Sequence, residues 1–376
     1  MICLTNARIV LLDRVIHGTI VMEGGRIASV ETGLSQLSTA IDVDGDTVIA
    51  GVVDLHTDNL ERQVQPRSNA RWPSRSAMVA HDSQCAAAGV TTVLDALCLG
   101  DLGFDKDRIR TFREGVIDGD ALAESGLLKS DHYLHLRCEM PAADVIALLD
   151  PVADHPRVRM ISLMDHSPGV GQYANMERYR ALRAKEGIDS ATVERRIVEL
   201  QDQRARLRDP NRRALLDRVR HSGTVLASHD DRTAEEVDEN HRDGIRISEF
   251  PVTMEAAKAA RAHDMQVIAG APNIVRGGSH SGNVAASDLV RARAVDAFAS
   301  DYVPASLVEA AFGCVRDTDI TLPDAVALVT DSPARMAGLG DRGRIATGYR
   351  ADLVRIRVHD GLPIVRQVWL AGERVI

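Results

Sequence analysis

Metal-binding side chains stand at the ends of several hydrophobic stretches in this sequence. His56 and Asp58 follow the apolar run Val48–Leu55, and residues two apart in a strand point to the same face. A polar, metal-competent side chain ends an apolar run again at Glu139, at Asp165 and His166, at His229 and at Asp301. Imidazole and carboxylate groups are ligands of divalent transition metals. The set therefore predicts a centre for one or two metal ions, with these ligands: His56, Asp58, Glu139, His166, His229 and Asp301.

A metal centre of this kind predicts hydrolytic chemistry. A divalent cation lowers the pKa of bound water towards neutrality and makes hydroxide available at pH 7. A carboxylate beside that water can act as general base, and we predict this role for Asp301. Zinc is the first choice of metal, and manganese, iron and nickel stay open, because mixed imidazole and carboxylate ligands suit all four. Any one of these residues could instead be a bonded core group or a helix cap; their recurrence at five strand ends favours a shared site.

The elements that must position these residues alternate between strand and helix. Eight buried-strand runs are predicted: Thr47–His56, Thr91–Ala96, Tyr133–Glu139, Val158–His166, Thr224–His229, Ile245–Phe250, Gln266–Ala271 and Ala297–Asp301. Eight strand-then-helix units predict a (β/α)8 barrel of the TIM type, whose active site lies at the carboxyl ends of the strands. A doubly wound open sheet is the alternative, but it usually has fewer strands and often a glycine fingerprint after the first, which is missing here.

Both ends of the chain are rich in short strands and turn signals, such as Gly24-Gly25 and Asp360-Gly361. We predict that residues 1–48 and 340–376 together form a small β-sandwich domain and that residues 49–339 form the barrel. A charged helical arm is predicted near 175–220, where 13 Lys and Arg stand against 8 Asp and Glu. This arm is interpreted as a solvated insertion, with a dimer contact or a basic lid as alternatives.

Two basic segments predict binding of an anionic substrate. The glycine-rich loop Gly270–Asn283 follows the seventh strand, where barrels often bind phosphate. Its predicted substrate-binding residues are Asn273, Arg276, Ser279 and His280. Arg67 is a further predicted substrate-binding residue, in a cluster after the first strand that also holds Arg62, Arg71 and Arg75. Flexible or solvated loops are the alternative interpretation of both segments.

The overall composition limits the class of partner. The 376 residues carry a net charge of −9 and only 3% aromatic residues, which disfavours binding of nucleic acid or of a membrane surface. Five scattered cysteines without a CxxC indicate free thiols in a reducing compartment. With neither a signal peptide nor an 18-residue apolar run, we predict a cytoplasmic protein. A homo-oligomer is compatible with the sequence.

Long segments of the chain resemble a known family. Asp331–Leu339 and Gly343–Val354 look like the carboxyl-terminal signature of the amidohydrolase superfamily. Within that superfamily, further segments resemble the PhnM family, the α-D-ribose 1-methylphosphonate 5-triphosphate diphosphatases of phosphonate breakdown: Gly51–Glu61, His135–Glu139, Ser162–Tyr173, Ser228–Asp231, Gly270–Asn283 and Ala299–Pro304. This resemblance covers nearly the whole chain.

The resemblance implies hydrolysis of a ribose 5-triphosphate, a phosphorylated sugar, to the 5-phosphate and pyrophosphate by a metal-dependent hydrolase. It also implies that His56, Asp58, Glu139, His229 and Asp301 correspond to the metal ligands of the superfamily. Two departures from the superfamily stand out: HxD in place of the commoner HxH leaves the number of metals open, and strand six offers Glu249 where a histidine is usual, which bears on the role of His166. His166, on strand four, binds either metal or substrate. The alternatives are an amidohydrolase acting on an amide or cyclic amide, of the deacetylase or deaminase type, and a non-catalytic scaffold.

Overall fold

A computed structural model describes residues 1–67, 70–103, 107–279 and 282–376. The strands, in chain order, are β1 (Ile2–Val10), β2 (Val15–Glu23), β3 (Arg26–Thr32), β4 (Ile41–Asp42), β5 (Thr47–Ala50), β6 (Val52–Thr57), β7 (Val90–Leu99), β8 (Asp131–Glu139), β9 (Val158–Met164), β10 (Val225–His229), β11 (Ile247–Glu249), β12 (Gln266–Gly270), β13 (Ala297–Ala299), β14 (Leu353–His359), β15 (Leu362–Leu370) and β16 (Glu373–Arg374). The helices are α1 (Asn59–Val64), α2 (Ser74–Ala87), α3 (Arg108–Ser125), α4 (Val145–Leu149), α5 (Met176–Lys185), α6 (Ser190–Val219), α7 (Ala234–Arg242), α8 (Met254–Ala262), α9 (Ala271–Val275), α10 (Ala286–Arg291), α11 (Ser306–Asp317), α12 (Leu322–Ala327) and α13 (Asp331–Met336).

Strands β6 to β13 form a parallel barrel in which neighbours in the chain are neighbours in space. A bridge between Thr57, at the end of β6, and Asp301, just after β13, joins the two edges and nearly closes the barrel. Parallel strands covered by helices are buried on both faces, and accordingly every residue of β6 and β7 is buried. The predicted (β/α)8 barrel is confirmed, and each observed strand overlaps a predicted one.

The inside of the barrel is a packed core at one end and polar at the other. One apolar cluster joins side chains from strands on opposite sides of the barrel with α13; its members include Val53, Leu55, Leu94, Met160, Ala227, Ile247, Ile268, Ala297, Ala299 and Met336. Side chains from opposite strands can meet only in the interior. Along β8, β10 and β13 the next residues towards the carboxyl end are His135, His229 and Asp301, so the packed layers hold the polar groups at the barrel mouth.

The predicted first strand, Thr47–His56, is divided in the structure. Residues up to Ala50 belong to β5 in the terminal sheet, and β6 begins in the barrel at Val52. Gly51 lies between the two strands. A larger residue would not fit there, because a Cβ would lie 2.1 Å from Thr91 Oγ1 and 2.8 Å from the Asp352 Cβ. The chain thus passes from one sheet to the other where only glycine fits between its neighbours.

The two ends of the chain share one mixed sheet, with strand order β16-β15-β14-β5-β1-β2-β3 and β4 beside β1. The sheet folds over an apolar core that includes Leu4, Ile20 and Trp369, and a bridge between Arg26 and Arg350 connects β3 to the segment before β14. The second β domain built from both termini is therefore confirmed. Its limits, 1–48 and 340–376 around a barrel of 49–339, stand as a proposal.

Helices α5 and α6 occupy the segment predicted to be a charged helical arm. Asn175 and Asp189 cap their amino ends by accepting hydrogen bonds from main-chain N–H groups. Val193, Ile197 and Leu200 form the buried stripe of α6. None of the helices in the described part of the chain is long and apolar enough to cross a membrane.

Candidate metal and substrate site

The carboxyl ends of the barrel strands surround a cavity of about 510 Å³. All six predicted metal ligands line it: His56, Asp58, Glu139, His166, His229 and Asp301. They lie at the ends of β6, β8, β9, β10 and β13, where a barrel enzyme keeps its reacting groups. The structure therefore brings together residues as far apart in the chain as His56 and Asp301.

His56, Asp58 and Asp301 form the first candidate ligand group. One ligand atom from each lies within 4.8 Å of the other two, which is the spacing of groups that share a metal ion. Burial, and then the neighbouring Asp58 carboxylate, raise the pKa of Asp301 to about 7. Two carboxylates held this close repel each other, and a divalent cation between them would remove that repulsion.

His166, His229 and Asp230 form the second candidate group, with the same 4.8 Å spacing. Asp230 is absent from the predicted set, although it is the next residue after His229. Its Oδ2 atom is buried and accepts no hydrogen bond from any residue that the structure describes, and its backbone has a φ of 57°, in the left-handed region. An orphaned buried carboxylate oxygen is costly, and a cation would satisfy it. Strain of this kind is often found at functional sites.

Glu249, at the end of β11, holds two of the histidines in position. Its carboxylate accepts hydrogen bonds from Nδ1 of His56 at 2.7 Å and of His229 at 2.8 Å. Each ring therefore keeps Nε2 for a cation, the arrangement usual for metal-binding histidines. Burial alone would raise the pKa of Glu249, but the charges of His56 and His135 and the bond from His229 hold it well below its usual range. The ligand atoms of Glu249, His56 and His229 also lie close enough together to share a metal ion. However, both carboxylate oxygens of Glu249 already accept hydrogen bonds from these histidines.

Glu139 and His166 form a second oriented pair. Glu139 accepts hydrogen bonds from the main-chain N–H of His166 at 2.8 Å and from its Nδ1 at 2.6 Å. Burial alone would raise the pKa of Glu139, but the charge and bonds of His166 lower it. Glu139 thus holds the ring of His166, whose Nε2 is left for a cation or a substrate.

The predicted substrate-binding residues differ in their position relative to the cavity. Asn273, Arg276 and Ser279 line the cavity. His280 lies outside the described residues. Arg67 is not among the residues that line the cavity; it forms a bridge to Ala70 near the surface.

Two other arginines of the first basic cluster find partners away from the cavity. Arg71 binds Glu114 at 2.7 Å, Arg75 lies 3.2 Å from Asp118, and both acids belong to α3. Basic side chains that the sequence analysis did not select line the cavity instead, namely Arg108, Arg137 and Arg183. They come from α3, β8 and the arm helix α5, and no local pattern links such distant segments of the chain.

A second group of histidines and aspartates is buried beneath α2. We call His81, Asp82, Asp95 and His132 the inner cluster. Ligand atoms of His81, Asp95 and His132 also lie within 4.8 Å of one another. However, Asp95 binds His81 Nε2 at 2.7 Å and His132 Nδ1 at 3.0 Å, while His132 Nε2 lies 3.3 Å from Asp82. Burial alone would lower the pKa of His132, but Asp95 and Asp82 raise it to about 9.

The donor set at the barrel mouth fits a divalent cation better than the inner cluster does. We call the residues at the cavity the mouth cluster: His56, Asp58, Glu139, His166, His229, Asp230 and Asp301. In the mouth cluster, Glu249 and Glu139 bind the imidazole Nδ1 atoms and leave Nε2 for a cation, and Asp230 holds an orphaned buried oxygen. In the inner cluster the charges already neutralise one another through hydrogen bonds, and none of its residues lines the cavity.

Comparisons with known proteins agree with this geometry. The amidohydrolase family model matches residues 187–376. The α-D-ribose 1-methylphosphonate 5-triphosphate diphosphatase of Escherichia coli strain K12 is 42% identical over 375 residues, which is 99% of each chain.

Solved structures share the fold over the whole chain. Molinate hydrolase superposes with a TM-score of 0.68 at 12% identity, covering 100% of this chain and 94% of its own. N-isopropylammelide isopropylaminohydrolase from Burkholderia multivorans ATCC 17616 gives 0.66 at 17% identity, covering 100% and 98%. Identities this low show a common fold alone. The family model and the full-length relative go further: the chain belongs to the amidohydrolase family and, within it, to the PhnM family.

Proposed function

We propose that this protein hydrolyses α-D-ribose 1-methylphosphonate 5-triphosphate to the 5-phosphate and pyrophosphate, as a metal-dependent enzyme of phosphonate breakdown. The observation that carries the proposal is the combination of the mouth cluster with four arginines in one cavity: Arg108, Arg137, Arg183 and Arg276. A triphosphate is strongly anionic, and a guanidinium binds phosphate oxygens in a fixed two-pronged geometry. The full-length relative named for this reaction supports the same substrate.

The mouth cluster would hold one or two divalent cations. We assign His56, Asp58 and Asp301 to one position and His166, His229 and Asp230 to the other, with Glu139 and Glu249 orienting the rings. Zinc is our first choice, with manganese, iron or nickel as alternatives. When bound, the cation would act as a Lewis acid that lowers the pKa of water and withdraws charge from a phosphoryl oxygen.

Asp301 is proposed as the general base. Its carboxylate lies in the cavity beside Asp58 and His56, where the attacking water must be held. As water attacks the α-phosphorus, a new P–O bond forms and the bond from that phosphorus to the α–β bridging oxygen breaks. Asp301 accepts the proton lost by the water, and pyrophosphate leaves with the bridging oxygen.

Basic and polar groups on the cavity wall would bind the substrate. Arg276 and Ser279 lie on the loop after α9, and Arg183 reaches the cavity from the arm, stacked 4.9 Å above the Tyr179 ring. Asn273 positions this loop, because its Oδ1 accepts a hydrogen bond from the Ala286 main chain at 3.2 Å. We leave Arg67 out of the proposed site, and a role of His280 in phosphate binding stays a prediction. Cytoplasmic location and homo-oligomerisation stay proposals as well.

An amide or cyclic-amide substrate is the competing proposal for this family. Neither needs neutralisation of several negative charges, so four arginines in one cavity favour the triphosphate. A non-catalytic scaffold would have no reason to keep an orphaned carboxylate oxygen such as that of Asp230 at the barrel mouth.

The test is pyrophosphate release from the ribose 5-triphosphate by metal-loaded protein, compared with Asp301→Asn and a matched control. Asp296→Asn is that control, because Asp296 lies before β13 and Asp301 after it, and Asp296 pairs with Arg261 instead of lining the cavity. We expect Asp301→Asn to lower kcat by about a thousandfold and Asp296→Asn to leave it within about threefold. Absence of release by wild-type protein that holds its metal would overturn the proposed function.

A further inference from the structure

Arg137 is an unusual residue to find in the interior of a barrel strand. It lies in β8 between His135 and Glu139, and because side chains two apart share a face, all three point inward. Its side chain lines the cavity, yet only 7% of the residue is exposed. The Arg137 side chain is thus almost wholly buried while still contributing to the cavity wall.

The guanidinium of Arg137 has donors that no group in the described part of the chain satisfies. Its Nε and Nη1 atoms are buried without a hydrogen-bond partner. The nearest acid is Asp58, whose Oδ2 lies 3.5 Å from Nη1, an ion pair that does not make a hydrogen bond. A buried polar group without a partner is destabilising, and more so when it is charged.

Another equally buried arginine in the chain does not share this property. Arg212 is 6% exposed, and it donates hydrogen bonds to Asp243 at 2.7 Å and to Asn240 at 2.8 Å. Arg212 shows that this fold can supply hydrogen-bond partners to a buried guanidinium. Arg137 lines a cavity instead, so an anion bound in that cavity is the partner that its guanidinium lacks.

We propose that Arg137 binds a non-bridging oxygen of the phosphoryl group under attack. The inference rests on the proposed function, and it adds a catalytic residue to it. Arg137 adjoins Asp58 and is two residues from Glu139, so it lies at the floor of the cavity beside the groups that would hold metal and water. Arg276, on a loop after α9, is left to bind the outer phosphates. A guanidinium at the reacting phosphorus neutralises charge that develops in the transition state.

The test compares Arg137→Lys with Arg212→Lys. Both variants keep a buried positive charge, but lysine lacks the two-pronged donor geometry. We expect Arg137→Lys to lower kcat for pyrophosphate release by about a hundredfold or more, with unchanged metal content and melting temperature. Arg212→Lys should keep kcat within about threefold. Added guanidinium ion should restore part of the activity of Arg137→Ala and none of that of Asp301→Asn. An Arg137→Lys enzyme with wild-type kcat would overturn the assignment.

A binding measurement separates this inference from the proposed function. Calorimetry with inorganic triphosphate reports the anion site even when the ribose substrate is not turned over. Weaker binding by Arg137→Lys than by wild type, by about tenfold, supports the anion site whatever the reaction proves to be. Equal affinity in both proteins, or no binding to the wild type at millimolar concentration, would show that Arg137 only balances the charge of Asp58.

Discussion

The mouth cluster and the inner cluster use the same residue types on neighbouring strands, yet their chemistry differs. His56 of β6 belongs to the mouth cluster, while Asp95 of β7 and His132 of β8 belong to the inner cluster. In the inner cluster every imidazole meets a carboxylate of the same cluster, and the donors and acceptors are used up. In the mouth cluster, Asp230 keeps a buried oxygen with no hydrogen-bond partner.

This difference shows that residue type and spacing alone do not identify a ligand site. Both clusters satisfy the geometric spacing of metal ligands. What separates them is whether the polar groups are satisfied by one another or directed at a cavity. The inner cluster is therefore expected to stabilise the fold, and the mouth cluster to bind and react.

The largest expected difference between the clusters is in activity. His229→Asn removes an imidazole ring of the second candidate group. The same ring makes one of the hydrogen bonds that Glu249 accepts. Because a bound cation supplies several kcal/mol of transition-state stabilisation, we expect kcat to fall by about a thousandfold or more. Elemental analysis should show less bound metal, while the metal-free variant unfolds at the same urea concentration as metal-free wild type. Full metal content and activity in this variant would remove His229 from the metal site.

The sequence was sufficient to predict the barrel and the mouth cluster, for a physical reason. Each predicted ligand follows a buried parallel strand, and the carboxyl ends of such strands meet at one edge. The predicted ligands at strand ends are therefore neighbours in space although they are distant in the chain. The terminal β domain was predictable from turn signals at both ends of the sequence.

The rest depends on contacts that the sequence does not encode locally. Asp230 faces the cavity through a left-handed backbone conformation, and Glu249 acts through hydrogen bonds to rings on other strands. Arg67 and Arg71 look equivalent in the sequence, but an acid on α3 binds Arg71, and Arg67 does not line the cavity. Arg183 reaches the cavity only because the arm folds back over the barrel mouth.

For stability we expect the opposite order: a substitution in the inner cluster should lower the free energy of unfolding more than one in the mouth cluster. Asp95→Asn removes the charge that holds both His81 and His132 in a fully buried site. Breaking one side of a buried ion pair typically costs about 3–5 kcal/mol, so we expect a loss of that size in the free energy of unfolding. The surface pair of His263 with Asp238 gives the control, and Asp238→Asn should cost less than about 1 kcal/mol. Urea titration measures both, and equal losses would contradict a special role for the inner cluster.

The smallest expected effect is the pH dependence of stability that comes from His132 of the inner cluster. The pKa of His132 rises from 6.5 to about 9 in the folded protein, because Asp95 and Asp82 outweigh the effect of burial. The protonated form is therefore favoured by folding: its contribution is complete below pH 6.5 and is lost as the pH rises through about 9. The shift corresponds to roughly 3 kcal/mol.

His132→Gln tests this assignment, since glutamine cannot ionise. The difference in unfolding free energy between wild type and His132→Gln should be largest at pH 6 and shrink towards pH 9.5. The comparison cancels the titration of the mouth cluster, which both proteins share, so the remaining slope reports His132 alone. A difference that stays constant over this range would mean that His132 is neutral in the folded protein. The inner cluster would then be held by hydrogen bonds rather than by charge, and its contrast with the mouth cluster would rest on hydrogen-bond satisfaction alone.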